Sequence, residues 1–520
     1  MDQGPTKRQK TADAVLQPLG DDQIKAKQSE YATATPYPHV VLSPAIDDAT
    51  LKNARREAIH ELRADYKETD LFKVYQVPHD LGTIERTAPH LADKAPSLLR
   101  VRDALYSEST RRLVERITGC GRIGDTVDCS ANVYMRGGHL LCHDDVIGNR
   151  LVSFVLYLVD EDWSEEDGGA FELFPVVDGE PSPIPCNRVD CKWNSLLLFK
   201  VEPGKSHHAV AEVLGDKPRL TISGWYHARE QRDGAAARAS SLGQLRVVEQ
   251  RSFKSFDGDD DEDDVDRALS SDDVSALGAW VAPAYLDPEA WPRLRDHFAN
   301  DSAARLVDFC RDEIASEISK SEMAGPHDTW RVVGPPHKRR YGVPRGDSDL
   351  GRALAKIEHG ASSAAFRRLL ARITGVRPVA RDSTIRRFRP GRDYTVAVSG
   401  DPVPVIDATF CFLGGSDDEA WASGEVGGFE TYIEAEDEGD ADAAVYAGES
   451  GEGGEEGGDL LSVEAQHNCL SIVLRDPGTL RFVKYVSAFA PSARCDVEVV
   501  CRIHDEDLPD PDASGDDSDE

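Results

Sequence analysis

Arg111-Arg112-Leu113-Val114-Glu115-Arg116-Ile117-Thr118-Gly119 returns later in the chain as Arg367-Arg368-Leu369-Leu370-Ala371-Arg372-Ile373-Thr374-Gly375. In both stretches Leu and Ile recur at helical spacing and a glycine follows as the C-cap, so each reads as the end of an amphipathic helix. The echo continues outward. Tyr134-Met135-Arg136-Gly137 matches Phe388-Arg389-Pro390-Gly391, and Gly168-Gly169 before Ala170–Phe174 matches Gly427-Gly428 before Phe429–Ile433. Asn194–Phe199 then pairs with Asn468–Val473, and Arg219-Leu220-Thr221-Ile222 with Arg494-Cys495-Asp496-Val497. Matched positions stay 254 to 259 residues apart up to the double glycine and 274 to 275 apart after it. The jump is an acidic, glycine-rich insertion in the second copy at about 434–459. The chain is one fold written twice.

Each copy opens with helices, expected at about 48–66 and 96–118, and at about 286–320 and 347–374. Short strand-like runs punctuated by Gly, Pro and Asp follow, such as Leu151–Val159, Asn194–Val201 and Arg219–His227. Helices first and many short strands after predict an α+β chain of two tandem double-stranded β-helix (jelly-roll) domains, each braced by helices. The expected order is a disordered basic start (1–20), a first domain carrying the chemistry (21–238), an acidic linker (239–275), a second domain (276–504) and an acidic tail (505–520). The linker holds Asp257-Gly258-Asp259-Asp260-Asp261-Glu262-Asp263-Asp264, a run that cannot bury a core.

The 520 residues exceed one compact core, and 40% apolar content suffices for two. A net charge of −34 argues against non-specific binding to nucleic acid or anionic membranes and suits a basic protein partner. Acidic runs also serve simply as solvated linkers. The ten cysteines include no Cys-x-x-Cys pair, residues 1–20 are polar, and no apolar run approaches the ~20 residues needed to span a bilayer. These features predict reduced thiols and a place in the cytoplasm and nucleus. Lys7-Arg8-Gln9-Lys10 is a candidate nuclear import signal.

The chemistry concentrates in the first copy. Leu140-Leu141-Cys142-His143-Asp144-Asp145 reads as a strand end, on which alternation sends His143 and Asp145 to the same side. A third ligand from a distant strand, His208 of Ser206-His207-His208-Ala209-Val210, completes two imidazoles and one carboxylate. That facial set leaves positions open and suits a non-haem iron(II) oxygenase. Only one of His207 and His208 can reach the metal, and the other is expected to be solvated. Arg219 begins Arg219-Leu220-Thr221-Ile222-Ser223-Gly224-Trp225. A guanidinium in an apolar strand is costly unless it meets an anion, and its planar fork matches a carboxylate such as the far end of 2-oxoglutarate. Tyr157 also faces inward from a strand, with a phenol able to donate to a carboxylate.

Tyr134-x-x-Gly137-x-x-Leu140-x-x-His143-Asp144-Asp145-Val146-Ile147-Gly148, Phe154–Leu158, His208-x-Val210-x-Glu212-Val213-Leu214 and Arg219-Leu220-x-Ile222-Ser223-Gly224-Trp225 together resemble the ribosomal prolyl hydroxylases. In the second copy Gly334–Tyr341 and Leu480–Lys484 match as well, so the resemblance spans nearly the whole chain. It implies iron(II) bound by His143, Asp145 and His208, and 2-oxoglutarate held by Arg219, Tyr134 and Tyr157, with Thr221 a further candidate. O2 is the second co-substrate and ascorbate an optional addition. It further implies 3-hydroxylation, extending to 3,4-dihydroxylation, of a proline in a basic small-subunit ribosomal protein at the decoding centre, affecting translation accuracy or termination. The rival expectations are an oxygenase acting on another protein, and an oxygen- or 2-oxoglutarate-sensing interaction protein whose second domain binds a partner. The second copy lacks the ligands: alignment sets His143 on Ala397, Asp145 on Ser399 and His208 near Phe482. It reads as a scaffold or docking domain whose acidic tracts suit ribosome-associated proteins.

Overall fold

The computed structural model describes residues 15–229, 251–258, 268–321, 329–397, 402–415, 418–434 and 459–508. The chain divides into two compact units, the first built mainly from the residues up to 244 and the second mainly from those after it.

In the first unit the strands are β1 (His39–Leu42), β2 (Asp65–Glu68), β3 (Phe72–Gln76), β4 (Asp128–Tyr134), β5 (His139–His143), β6 (Arg150–Tyr157) and β7 (Phe171–Leu173). They continue as β8 (Val176–Val177), β9 (Glu180–Pro181), β10 (Asn187–Val189), β11 (Leu196–Lys200), β12 (His208–Val210) and β13 (Arg219–His227). One antiparallel sheet runs β1-β11-β6-β13-β4-β3-β5-β12-β7-β10, with β2 on β3, and β8 and β9 form a separate hairpin. This is the jelly roll with helices expected of the first copy.

Alternation along the strands separates two environments. Val152, Phe154 and Leu156 of β6, Leu196 and Leu198 of β11, and Leu220, Ile222 and Tyr226 of β13 pack with helical Leu51, Leu98, Val101, Leu105, Val114 and Ile117 in one core. The intervening residues, Ser153, Tyr157, Arg219 and Thr221 among them, are also buried but point to the other face, inside the roll. The helices are shorter than expected: Asp48–Glu61, then Pro96–Leu105 and Glu108–Thr118. Gly119, with φ +61°, closes the last of these as the sequence predicts. Residues 15–20, expected in the disordered start, are instead tied down: Val15 is buried and Gln17 N–H donates to the Ala45 carbonyl.

The second unit has β14 (Ala303–Val307), β15 (Trp330–Val333), β16 (Arg339–Pro344), β17 (Pro378–Phe388), β18 (Tyr394–Thr395) and β19 (Val405–Leu413). After them come β20 (Glu430–Glu434), β21 (Asp459–Val463), β22 (Cys469–Arg475), β23 (Thr479–Val483) and β24 (Arg494–Ile503). The sheet order β14-β22-β19-β24-β17-β16 follows the path β1-β11-β6-β13-β4-β3 strand for strand, and β21-β20-β23 form a second sheet. β14 interrupts the helix expected over 286–320, because Ala303–Val307 alternate buried with exposed. The acidic linker is also partly structured: Phe256 is buried and the Lys254 backbone pairs with Arg381. The insertion core at 435–458, the basic tetrapeptide and the tail beyond 508 lie outside the described residues.

Inside this second sheet lies a buried ion network. Arg494 and Arg481 donate to Glu430 at 2.7 and 3.0 Å, and Arg386 donates to Asp496 at 2.7 Å and Glu498 at 2.8 Å. Arg475 pairs with Asp407 at 2.7 Å. Burial works to raise the Glu430 carboxyl, but Arg481, Arg494 and Arg386 overcome it and bring it down to about 2. A carboxyl depressed on folding adds stability above its unfolded value and loses it as pH falls through the folded one. Stability from Glu430 is therefore complete above its usual value of 4.5 and disappears on acidification toward pH 2. Removing one partner of a buried pair costs about 3–5 kcal/mol. Urea unfolding of Glu430→Gln should show that loss at pH 7 and a much smaller one near pH 2.

Candidate active site

β5 ends at His143, and the chain turns through Asp144 and Asp145 before β6. Asp145 has φ +61°, a left-handed conformation that Asp tolerates better than most residues. The shared direction of His143 and Asp145 thus comes from a turn, not from the strand alternation expected. Across the antiparallel β5–β12 pair, His208 stands opposite His143. The carboxylate of Asp145 lies between the rings, Oδ1 3.2 Å from His143 Nε2 and Oδ2 3.4 Å from His208 Nε2. Donor atoms of the three residues lie within 4.8 Å of one another, and all three residues are buried.

Both imidazoles are oriented from behind. His143 Nδ1 lies 2.8 Å from the Leu141 carbonyl and His208 Nδ1 2.7 Å from that of Ser206. A carbonyl only accepts, so Nδ1 carries the hydrogen and Nε2 turns its lone pair to the centre. Burial works to raise the Asp145 carboxyl, but the charges and hydrogen bonds of His208 and His143 hold it well below the usual carboxylate range. Burial also disfavours a charged His143, an effect outweighed by Asp145, whereas burial and the charge of His143 push His208 down. Two imidazole nitrogens and an anionic oxygen converging on one point are a donor set that fits iron(II).

The second half of the site lies on β13 and its neighbours. Register places Arg219 beside Tyr134 of β4, and Thr221 beside Tyr157 of β6. The guanidinium carbon is 5.1 Å from the Tyr134 ring centroid and 5.2 Å from that of Tyr157. Arg219 is only 1% exposed, and its Nη2 and the Tyr157 hydroxyl make no hydrogen bond to the protein. Leaving such groups unsatisfied in a dry interior costs about 1–3 kcal/mol each, more for a charged one, so they fit a bound carboxylate. Tyr134 lies against Arg219: burial raises its hydroxyl to about 12, the Arg219 charge works against this, and the Asp145 charge adds to it. Thr221 is buried on the face of Arg219, two residues along.

His207, expected to be solvated if His208 is the ligand, is instead buried at 2% exposure. Burial, then the charges of His208 and His143, push its pKa down to about 4, so it is neutral at physiological pH. Two residues around Arg219 escaped the sequence reading: Gly169, flagged only as part of a double glycine, and Cys191, which carried no signal. In the second unit Ala397 is buried just beyond β18, and Ser399 lies outside the described residues. The counterpart of His208 is Arg481 rather than Phe482. Leu173 and Tyr432 each lie five residues past the first glycine of their pair, and they stand opposite His208 and Arg481 respectively.

Residues 129–227 match the 2OG-Fe(II) oxygenase superfamily, and residues 272–508 match a family described as oxoglutarate and iron-dependent oxygenase degradation C-term. Prolyl 3,4-dihydroxylase OGFOD1 of Ostreococcus tauri is 36% identical over 511 residues, covering 92% of this chain and 97% of its own. Prolyl 3-hydroxylase OGFOD1 of Xenopus laevis is 27% identical, covering 87% of this chain and 84% of its own. Among solved structures, a Pseudomonas putida prolyl-4-hydroxylase is 21% identical, with a TM-score of 0.26, covering 40% of this chain and 100% of its own. Roll and site thus define an iron(II)- and 2-oxoglutarate-dependent dioxygenase. Within that class, the chain belongs to the OGFOD1 family of prolyl hydroxylases.

Iron(II), 2-oxoglutarate and O2 together supply the oxidation that yields succinate and CO2 and places an oxygen atom on a C–H carbon. The protein's own task is to bind, orient and exclude water, and no side chain is required as a general base. His143→Ala and His208→Ala should reduce succinate formation to background. His207→Ala, which removes a buried neighbour and no donor, should cost at most about tenfold. Iron titration and a succinate assay on the three variants check this. A reversed result for His207 and His208 would overturn the ligand set.

Proposed function

We propose that the first unit binds iron through His143, Asp145 and His208 and 2-oxoglutarate through Arg219, Tyr134 and Tyr157, with Thr221 alongside. In this reading it hydroxylates C3 of a proline in a basic small-subunit ribosomal protein. The observation that carries the reading is the pairing of a buried three-donor cluster with a buried guanidinium edge left for an anion. The names of the Xenopus and Ostreococcus relatives support C3 as the first position and C4 as the second. A net charge of −34 supports a basic substrate, and no charge of that sign invites nucleic acid.

The second unit is then a degenerate copy of the first, supported by its matching strand order and by Arg481 in the place of His208. It serves as a docking domain, and its acidic tracts suit basic ribosomal or ribosome-associated surfaces. The first domain is then extended to begin at about residue 15 and the second to begin at about 251, and the protein works in cytoplasm and nucleus, where such substrates are made and assembled.

Intact-mass analysis of purified small-subunit proteins with and without the enzyme tests this directly. One of them should gain one oxygen atom, or two. A gain only on a non-ribosomal protein would sink the substrate reading and leave the oxygenase intact. Electrostatic attraction should also weaken once salt brings the Debye length to about 8 Å. Peptide hydroxylation should therefore fall with ionic strength more steeply than uncoupled succinate production. Equal salt slopes would remove the long-range charge from substrate capture.

A further inference from the structure

Cys191 lies in the loop between β10 and β11 and is buried against Arg219. Its Sγ accepts from Arg219 Nε at 3.2 Å and donates to the Gly169 carbonyl at 3.0 Å. The same carbonyl accepts from Arg219 Nε at 2.7 Å. Gly169 has φ +70°, and a Cβ there would stand 2.7 Å from Arg219 Cδ, so the arginine stem runs against bare backbone. Thiol, carbonyl and glycine thus grip one edge of the guanidinium while Nη2 on the other edge has no protein partner.

The grip is also electrically neutral. Burial raises the Cys191 thiol, with the Arg219 charge opposing, so it stays protonated. Arg494, which occupies the matching place in the second unit, shows the alternative. It donates to the Gly428 carbonyl as Arg219 does to Gly169, but its Nη2 is neutralised by Glu430 at 2.7 Å and Asp496 at 2.9 Å. Among the described residues no carboxylate forms an ion pair with Arg219, and the titratable groups beside it, Cys191, Tyr157 and Tyr134, are all neutral at physiological pH.

We propose that Cys191 is the positioning residue of the 2-oxoglutarate site: with the Gly169 carbonyl it locks Arg219 by its Nε edge and, being uncharged, leaves the full positive charge for the far carboxylate of the co-substrate. This rests on the assignment of Arg219 to 2-oxoglutarate. A group acting through Arg219 governs affinity for the dicarboxylate and leaves the chemical step alone.

The test uses the full chain with Cys191→Ala, Cys191→Ser and Arg219→Lys. Calorimetric titration of 2-oxoglutarate into anaerobic iron-loaded protein gives Kd, succinate assays give KM and kcat, and thermal melts give Tm. Losing one hydrogen bond to a charged donor predicts that Cys191→Ala raises Kd and KM for 2-oxoglutarate about tenfold. At saturating 2-oxoglutarate its kcat should stay within about twofold of the parent, and Cys191→Ser, which keeps an acceptor, should recover most of the affinity. Should Cys191→Ala fail to fold, Cys191→Val, similar in shape and without an acceptor, takes its place. If Arg219→Lys weakens binding but Cys191→Ala binds like the parent, or loses kcat and Tm at constant Kd, the positioning role is overturned and the site assignment stands. Undiminished affinity in Arg219→Lys would overturn both.

Discussion

Moving a guanidinium out of water costs several kcal/mol unless an anion meets it. This constraint acts twice in the chain, at Arg219 and at Arg494, each at the start of the long strand whose opposite face packs on helices. The strand cannot release its arginine to solvent, because doing so would lift Leu220 and Ile222, or Cys495 and Val497, out of their cores. In the first unit Arg219 Nη2 meets no protein acceptor, and the proposed 2-oxoglutarate would supply the anion. The second meets the same demand internally with Glu430 and Asp496.

The metal half of the site obeys a related rule. The Asp145 carboxylate lies buried between two imidazoles, and the backbone carbonyls of Leu141 and Ser206 fix which ring nitrogen faces inward. The rings are thereby aimed before any ion arrives, so binding requires little rearrangement. Phe171 stacks on His208 at a ring separation of 4.8 Å and supplies the apolar wall.

Much of this was legible in the sequence because two periodicities and one duplication agreed. The echo of 111–119 in 367–375 marked two helix ends, and both close on left-handed glycines. His143, Asp145 and His208 were named from the sequence, and their donor atoms lie within 4.8 Å of one another, though through a turn at Asp145 and not by strand alternation. What escaped depends on tertiary environment. The turn at Asp145 takes a left-handed φ that no local pattern announces, and His207 is buried although its strand position suggested solvent. Cys191 is an isolated thiol until Arg219 folds against it. Alignment by fixed offset missed Arg481 by one residue, since only strand register, not residue count, defines which side chain faces the interior.

The network around Glu430 bears on how much change the second unit tolerates. A ligand introduced at Ala397 would leave Arg494 as it is, paired with Glu430 at 2.7 Å and Asp496 at 2.9 Å. No single deletion frees Arg494: without Glu430 it keeps Asp496, while Arg386 and Arg481 keep Glu498. Each carboxylate removed leaves the buried arginines sharing fewer anions, so stability falls before any one guanidinium is released. The second unit is held in its internally neutralised form by the stability that form confers.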